Sequence, residues 1–413
     1  MKNNIRKVTP GRLEGQVKIS GAKNSSLRLL AASILTDEVI HIGNFPNELL
    51  DIHIHLDMLR NLGKICQTGK DKVIISEDDG NVSTILDWKG RSIRNTLLIL
   101  GALTTRFGEG KVPLPGGCKL GDRKYDLHVM MLEQLGAKVW EEDNYLCTKV
   151  EDGRLKGKDI NLPIRSTGAT ENTILCGVLA SGTTTLWNPH IRPEIMDLIA
   201  MLNKMGAKIS VYGQKCIVIK GVERLKGTDH TVIPDNMEAL TWAIGSVITN
   251  GNVEILDFPF SHLEIPLVYL RESGMNYYKG TKSLIVTGGS PYPVDISTGP
   301  YPGINSDMQP LFAVYGAISK GESKIIDLRF PGRYGYAHQL AKMGMRFQIE
   351  GDLLAIQGGH NLKGTNVRAL DLRAGIALLL AGLVAEGETI IEDAWQIQRG
   401  YENLDEKLSA LIV

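Results

Sequence analysis

Apolar and polar positions along the chain recur in two alternating patterns. The first is a run of small and aliphatic residues, a turn containing Gly or Asp, then a β-rich run. It reads LLAASILTDEVIHIGN, LILGALTTRFGEGKVPLPG, LCGVLASGTTTLWN, AIGSVITNGNVEILD, LFAVYGAISKGESKIID and LLLAGLVAEGETIIED. The second is a helical pattern that ends in Gly or a similar breaker and leads into another strand. It reads HLDMLRNLGKI, VMMLEQLGAKV, LIAMLNKMGAKI, LVYLRESGMNY and QLAKMGMRF, and a last copy, ENLDEKLSALIV, stops at the final residue. The period is roughly 70 residues, longer than the usual solenoid unit. Each unit holds two helices and several strands, enough for a small α/β subfold. Helices that are apolar on most sides are buried rather than at the surface. The expected architecture is therefore α/β, with helices inside and sheets outside, and with the repeats divided between two similar domains. Chain crossings are expected near Ile19–Ser20–Gly21 and near Val232–Ile233–Pro234–Asp235. These give one domain of residues 21–234 and another of 1–20 with 235–413.

A length of 413 residues agrees with two domains, since a single core rarely grows that large. The 46 Lys and Arg balance the 46 Asp and Glu, which leaves no electrostatic footprint for nucleic acid or an anionic membrane. Five cysteines, Cys66, Cys118, Cys147, Cys176 and Cys216, are scattered and odd in number. That usage fits a reducing cytoplasm. His53, His55, His128 and His338 show neither HExxH nor His/Cys spacing, so no metal is expected, and no cofactor signature stands out. The opening MKNNIRKVTP lacks the apolar stretch of a signal peptide. The longest apolar run, around Ile376 to Val384, is too short to span a bilayer. A soluble, cytoplasmic protein is expected. Oligomeric state is not legible.

Candidate chemistry begins with Lys111 to His128, KVPLPGGCKLGDRKYDLH. Its Pro and Gly residues place Cys118 on a loop. Lys119, Arg123 and Lys124 follow it, and cations lower a thiol's pKa toward the reactive thiolate. An inert cysteine in a surface turn fits the same stretch. In SGAKN a helix is expected to begin at Asn24 or Ser25, both good caps, with Lys23 at its anion-favouring N-terminus. Arg94 is expected to open a helix in the second repeat. Ser166–Thr167–Gly168, in IRSTGATEN, offers hydroxyls and amides suited to a diphosphate. Asp307, in YPGINSDMQP, is either an N-cap for a helix from Met308 or a carboxylate in a functional loop.

Taken together, SGAKN, LPGGC with the following Arg123 and DLH, SDMQP, DLRAG and RGYENLDEKL resemble the enolpyruvyl transferases in order and spacing over nearly the whole chain. The resemblance implies two inside-out α/β domains of three βαβαββ units each, with the active site in the cleft between them. It implies transfer of the enolpyruvyl group of phosphoenolpyruvate to the 3′-hydroxyl of UDP-N-acetylglucosamine, with release of phosphate. That is the first committed step of peptidoglycan precursor synthesis. Phosphoenolpyruvate is a small trianion, and the planar fork of arginine suits carboxylate and phosphate. The resemblance carries Lys23, Arg123 and Arg399 to the phosphate, and Arg333 and Arg373 to the carboxylate. It makes Cys118 the acid that protonates the methylene carbon and Asp307 the general base, with Lys23 and Arg399 also catalytic. It places Arg94 and Asn24 near the nucleotide sugar, with Asp126 from the DLH motif. Ser166, Thr167 and Gly168 fall on the diphosphate, and Arg329 and Phe330 on a turn that contacts the sugar nucleotide. Asp371 is expected to orient a cation of the site. Departures from the family pattern stand at Lys124, Tyr125, Ile164, Asn236, Ala239, Leu240 and Arg329. They keep open a paralogue with the same chemistry on another nucleotide acceptor, such as UMP. The shikimate branch of the family does not use this cysteine loop.

Overall fold

Five of the helices in the second pattern end the same way. Leu50–Asn61, Asp126–Gln134, Pro193–Lys204, Glu264–Glu272 and Gly335–Lys342 run into Gly63, Gly136, Gly206, Gly274 and Gly344. These glycines have φ of 101°, 98°, 102°, 94° and 104°. Each donates its N–H to the carbonyl three residues back, at 3.0 or 3.1 Å. A residue with a Cβ is strained at such φ, so the repeated Gly is the stop that turns each helix into its strand.

The structure is a computed structural model that describes residues 5–78, 81–91, 93–115 and 125–413. The chain divides into two compact units, Gly21–Ile233 and Met1–Ser20 with Pro234–Val413. Each has its own hydrophobic core.

In the unit Gly21–Ile233, Ile40–Gly43 pairs in parallel with Thr228–Thr231 and antiparallel with Lys72–Glu77, which in turn pairs with Lys64–Gly69. The third sheet of this unit repeats the scheme: Asp159–Asn161 lies parallel to Thr183–Trp187, and the hairpin Lys208–Tyr212 with Cys216–Lys220 completes it. Between them, Tyr145–Val150 joins Glu109–Pro113 and Ala137–Glu142, and an isolated parallel bridge from Ile85 to Lys111 supplies the missing edge.

The other unit follows the same plan. Glu14–Lys18 lies parallel to Asn252–Leu256, and Asp295–Ser297 lies parallel to Glu322–Ile326, each followed by its antiparallel hairpin. The last sheet differs. Asn366–Arg368 and Thr389–Glu392 are parallel, and the place of the hairpin is taken by Ile5–Val8, antiparallel with Ile5 opposite Glu392. The chain's first strand thus completes its last repeat.

Each unit carries three helices from the first pattern inside its sheets. All residues of Asn236–Ile248 are buried, and Leu372–Leu383 is buried except at Leu372. Such helices must pack closely. At Gly101 of Thr96–Phe107, an added Cβ would lie 1.9 Å from Asn172 Oδ1 on Thr167–Gly177.

Lys64 and Glu77 enter the core of the unit Gly21–Ile233 as a pair. Lys64 and Glu77 face each other across neighbouring strands. Lys64 Nζ lies 2.7 Å from Glu77 Oε2 and donates to the Thr36 carbonyl at 2.7 Å. Arg106, in the last turn of its helix, donates to both Glu77 oxygens at 2.6 and 2.8 Å.

Candidate active site

In the second unit, an acid–arginine cluster gathers residues from three consecutive repeats. Asn305 caps a single 3-10 turn, Ser306–Met308, by accepting the Asp307 N–H at 3.1 Å. Asp307 is therefore not the N-cap; its carboxylate is turned to arginines instead. Arg333 Nη1 donates to Asp307 Oδ1 at 2.9 Å, and Arg373 Nε lies 3.5 Å from Asp307 Oδ2. Asp371 caps Leu372–Leu383 with one oxygen, accepting from the N–H groups of Arg373 and Ala374 at 2.8 Å each. Its other oxygen lies 3.7 Å from Arg333 Nη2. Phe330 lies under two guanidinium groups, those of Arg329 at 5.5 Å and Arg333 at 5.9 Å.

Both inner arginines stay charged. Burial works against the Arg333 cation, but Asp307 and Asp371 outweigh it and raise its pKa. Burial likewise opposes Arg373, while Tyr401, Asp307 and Asp235 together raise it. Arg373 also packs over the Tyr401 ring at 5.8 Å and donates to the Tyr401 hydroxyl at 3.4 Å. Among the described residues its buried Nε–H has no partner in hydrogen-bond geometry. Arg399 closes the 3-10 helix Ala394–Arg399 and donates to Gln396 Oε1 at 3.0 Å. The following Gly400 is tight against the start of Leu372–Leu383: an added Cβ would lie 2.5 Å from Leu372 Cδ1.

In the unit Gly21–Ile233, the starts of the inner helices are tied together. The first helix runs Lys23–Ala32, with Ala22 at the N-cap and no side-chain cap, so neither Asn24 nor Ser25 caps it. Ser25 is drawn instead to the buried Asp197, and Lys23 Nζ lies 2.7 Å from the buried Asp51. Arg28 donates to the Asn24 carbonyl and to Glu171, each at 2.6 Å, linking this helix to Thr167–Gly177. Asn95 Nδ2 donates to the Leu27 carbonyl at 3.1 Å. Arg94 sits in the turn just before Thr96–Phe107 rather than within the helix.

Around Arg94 the expected nucleotide-side residues converge. Burial lowers the Arg94 pKa, and the charge of Asp126, first residue of its helix, counters this. His128, two positions on, accepts at Nδ1 from Asn172 Nδ2 at 3.1 Å. Its Nε2 would lie 2.8 Å from a Cβ on Gly168. Ser166 caps Thr167–Gly177 by accepting the Ala169 N–H at 3.4 Å, and Thr167 bonds His190 Nδ1 at 2.8 Å. Arg94, Asp126 and Gly168 thus share one neighbourhood with His128, which the sequence offered as the end of the DLH motif without a role. Cys118 and Arg123 lie outside the described residues. Among the described residues no three His, Cys, Asp or Glu are grouped to hold a metal ion, and no helix is long and apolar enough to cross a membrane.

A model of the EPSP synthase (3-phosphoshikimate 1-carboxyvinyltransferase) family matches residues 8–408. The chain belongs to this family of enolpyruvyl transferases. Relatives named UDP-N-acetylglucosamine 1-carboxyvinyltransferase 1 include one from Caldanaerobacter subterraneus, 39% identical over 97% of this chain and 95% of its own length. Another, from Carboxydothermus hydrogenoformans, is 41% identical over 96% of this chain and 93% of its own length. The solved enolpyruvyl transferase NikO from Streptomyces tendae matches with a TM-score of 0.88 at 25% identity, covering 98% of this chain and 97% of that one. EPSP synthase from Acinetobacter baumannii shares the fold, with a TM-score of 0.75 at 18% identity over 99% of this chain and 98% of that one.

In this enolpyruvyl transferase two buried histidines set an acid limit on folding. Burial, helped by the Arg94 charge, pushes His128 down to about 3. Burial and Arg28 do the same to His55, also to about 3, and among the described residues both ring nitrogens of His55 lack a hydrogen-bond partner. Each histidine is neutral when folded and binds a proton when unfolded below about 6.5. Stability is thus retained above the unfolded value and lost as pH falls toward the folded one, at roughly 1.4 kcal/mol per pH unit for each histidine. His55→Leu should flatten this slope by about one histidine's share and stabilise the unit near neutrality by about 1 kcal/mol. Urea unfolding between about pH 4 and 6.5 reads both effects; an unchanged slope would remove His55 from the account.

Proposed function

We propose that the protein transfers the enolpyruvyl group of phosphoenolpyruvate to the 3′-hydroxyl of UDP-N-acetylglucosamine and releases phosphate. This is the first committed step of peptidoglycan precursor synthesis, and with it come roles in cell-wall biogenesis, cell shape and division. The observation that carries the reading is the likeness, at 39% and 41% identity over nearly the full chain, to relatives named for that activity. The acid–arginine cluster gives it a chemical basis.

Arg333 and Arg373 hold the substrate carboxylate. The buried Arg373 Nε–H faces Asp307 Oδ2 at 3.5 Å without hydrogen-bond geometry, and a better-placed substrate anion would offset more of its desolvation. In the free protein Asp307 occupies these arginines. A substrate carboxylate takes them over, and Asp307 is then free to accept the 3′-hydroxyl proton. The deprotonated oxygen attacks the enol carbon bearing phosphate while Cys118 gives its proton to the methylene carbon. The product is a tetrahedral phospho-ketal. Loss of a proton from the new methyl group, back to the Cys118 thiolate, expels phosphate and restores the double bond. Lys23, Arg123 and Arg399 counter the phosphate charge, and Asp371 holds Arg333 in place. Arg94, Asn24, Asp126 and Ser166–Thr167–Gly168 serve the nucleotide sugar and its diphosphate, with Arg329 and Phe330 on the sugar nucleotide as well. The reaction draws on groups from each unit. A cytoplasmic location suits both substrates, and the free cysteines Cys66, Cys147, Cys176 and Cys216 support it.

Acceptor choice is the finer question, because Ile164, beside the diphosphate residues, is exposed and carries no charge. Phosphate release from phosphoenolpyruvate is to be measured with UDP-N-acetylglucosamine, UMP and shikimate 3-phosphate in turn. Release with the first is expected. Release with UMP alone would replace the acceptor and keep the chemistry, and release with none would end the reading.

A further inference from the structure

Outside the residues already given a role, the densest polar knot in the second unit is centred on Asp327, a carboxylate with no exposure to solvent. It follows the strand Glu322–Ile326 and accepts five hydrogen bonds. Thr298 Oγ1 donates at 2.7 Å, Ser306 Oγ and Gln309 Nε2 at 2.5 Å, and the N–H groups of Arg329 and Phe330 at 2.9 and 3.0 Å. Two stretches of chain are thereby fixed to one anion: the loop that ends in Asp307 and the turn that runs from Arg329 to Arg333. Ser306 joins them. Its hydroxyl proton goes to Asp327, which leaves the oxygen's lone pairs aimed at Arg333 Nη1, an acceptor contact of 3.2 Å. The same Nη1 donates to Asp307.

We infer that Ser306, polarised by Asp327, is a positioning residue that fixes the Arg333 guanidinium for the substrate carboxylate; this rests on the function proposed above. A hydroxyl that donates to a buried carboxylate becomes a stronger acceptor, and such chains of hydrogen bonds reinforce one another. Among the described residues the other polar partners of the Arg333 guanidinium are carboxylates, Asp307 at 2.9 Å and Asp371 at 3.7 Å. When a substrate anion competes for the guanidinium, a neutral acceptor that never leaves keeps its plane in register.

The test is Ser306→Ala, which spares four of the five donors to Asp327 and so leaves the turn anchored. Removing one hydrogen bond to a charged group is expected to raise KM for phosphoenolpyruvate about tenfold, with KM for UDP-N-acetylglucosamine within about twofold and the melting temperature nearly unchanged. Arg333→Lys supplies the second arm. With the fork gone, adding Ser306→Ala should change KM for phosphoenolpyruvate little, because the two residues act as one unit. Two results would overturn the inference while the wild type turns over: a Ser306→Ala protein with wild-type KM for phosphoenolpyruvate, or full additivity of the two substitutions. A wild-type protein that releases no phosphate with any acceptor overturns the functional reading first and the inference with it.

Discussion

Asp307→Asn is expected to lower kcat by roughly a hundred- to ten-thousand-fold, the usual worth of a positioned general base, without raising KM for phosphoenolpyruvate. The second half of this expectation comes from the ion pairs. In the free protein Asp307 engages Arg333 at 2.9 Å and Arg373 at 3.5 Å. It therefore competes with the substrate carboxylate for the same two forks. Asn is close to isosteric and can still accept one hydrogen bond, but it carries no charge, so the arginines are released to the substrate. A group used only in the transition state lowers kcat, whereas one that binds substrate uniformly raises KM. The variant should fold, since Arg333 keeps Ser306 and Asp371, and Asp307 itself is 29% exposed. Steady-state phosphate release over a phosphoenolpyruvate titration separates the two parameters. A variant with more than about a tenth of wild-type kcat would take the base role away from Asp307.

Much of the fold could be read from the chain because the repeats speak the same language six times. The Gly that ends five helices of the second pattern is visible as a letter, and its positive φ explains why no other letter serves. The small residues of the inner helices are equally visible, and Gly101 against Asn172 shows the physical need for them. What escaped was pairing at a distance. No local pattern announces that Ile5–Val8 stands in for the hairpin of the last repeat, because strand partners separated by the length of the chain leave no trace in either sequence.

The site divides along the same line. Arg333, Arg373 and Asp371 were legible through motif resemblance, whereas Ser166, read for its hydroxyl in a diphosphate turn, also caps its helix. Capping was misread at Asn24 and Ser25, where Ser25 goes to Asp197 instead, while at Asp307 the cap alternative falls because the carboxylate turns to arginines. Asp327 was silent, since it acts through contacts made by folding and its identity is common in any soluble protein. Ser306, Tyr401 and His128 stand inside the motifs SDMQP, RGYENLDEKL and DLH, but their contacts cannot be read there. Asp51, which meets Lys23 at 2.7 Å, is one more acidic residue in a helix until the structure buries both.

The largest effect on stability is expected at Glu77. Its carboxylate is the only anion that meets both Lys64 and Arg106 among the described ion pairs, and the side chains of Lys64 and Glu77 are 1% and 2% exposed. Burial alone would raise the Glu77 pKa, but Arg106 and Lys64 outweigh it and hold it below the usual range. Its contribution is therefore present above the unfolded carboxyl value and is lost as pH falls through the lower folded one. Glu77→Gln keeps the shape and removes the charge, which strands an ammonium in the core; breaking such a pair costs about 3–5 kcal/mol. Lys64→Met in the same protein removes the stranded charge, and Gln can still accept from Arg106, so the double variant should be more stable than Glu77→Gln alone by at least about 1 kcal/mol. Two cores make global unfolding a poor reporter, since the units need not melt together. Amide hydrogen exchange in Lys64–Gly69 and Lys72–Glu77 reads the local change directly, and about a hundredfold loss of protection corresponds to the lower end of that range. Protection within about fivefold of wild type in Glu77→Gln, roughly 1 kcal/mol, would mean that water or a neighbouring carbonyl already shares the Lys64 charge. The pair would then fix strand register more than it stabilises the fold.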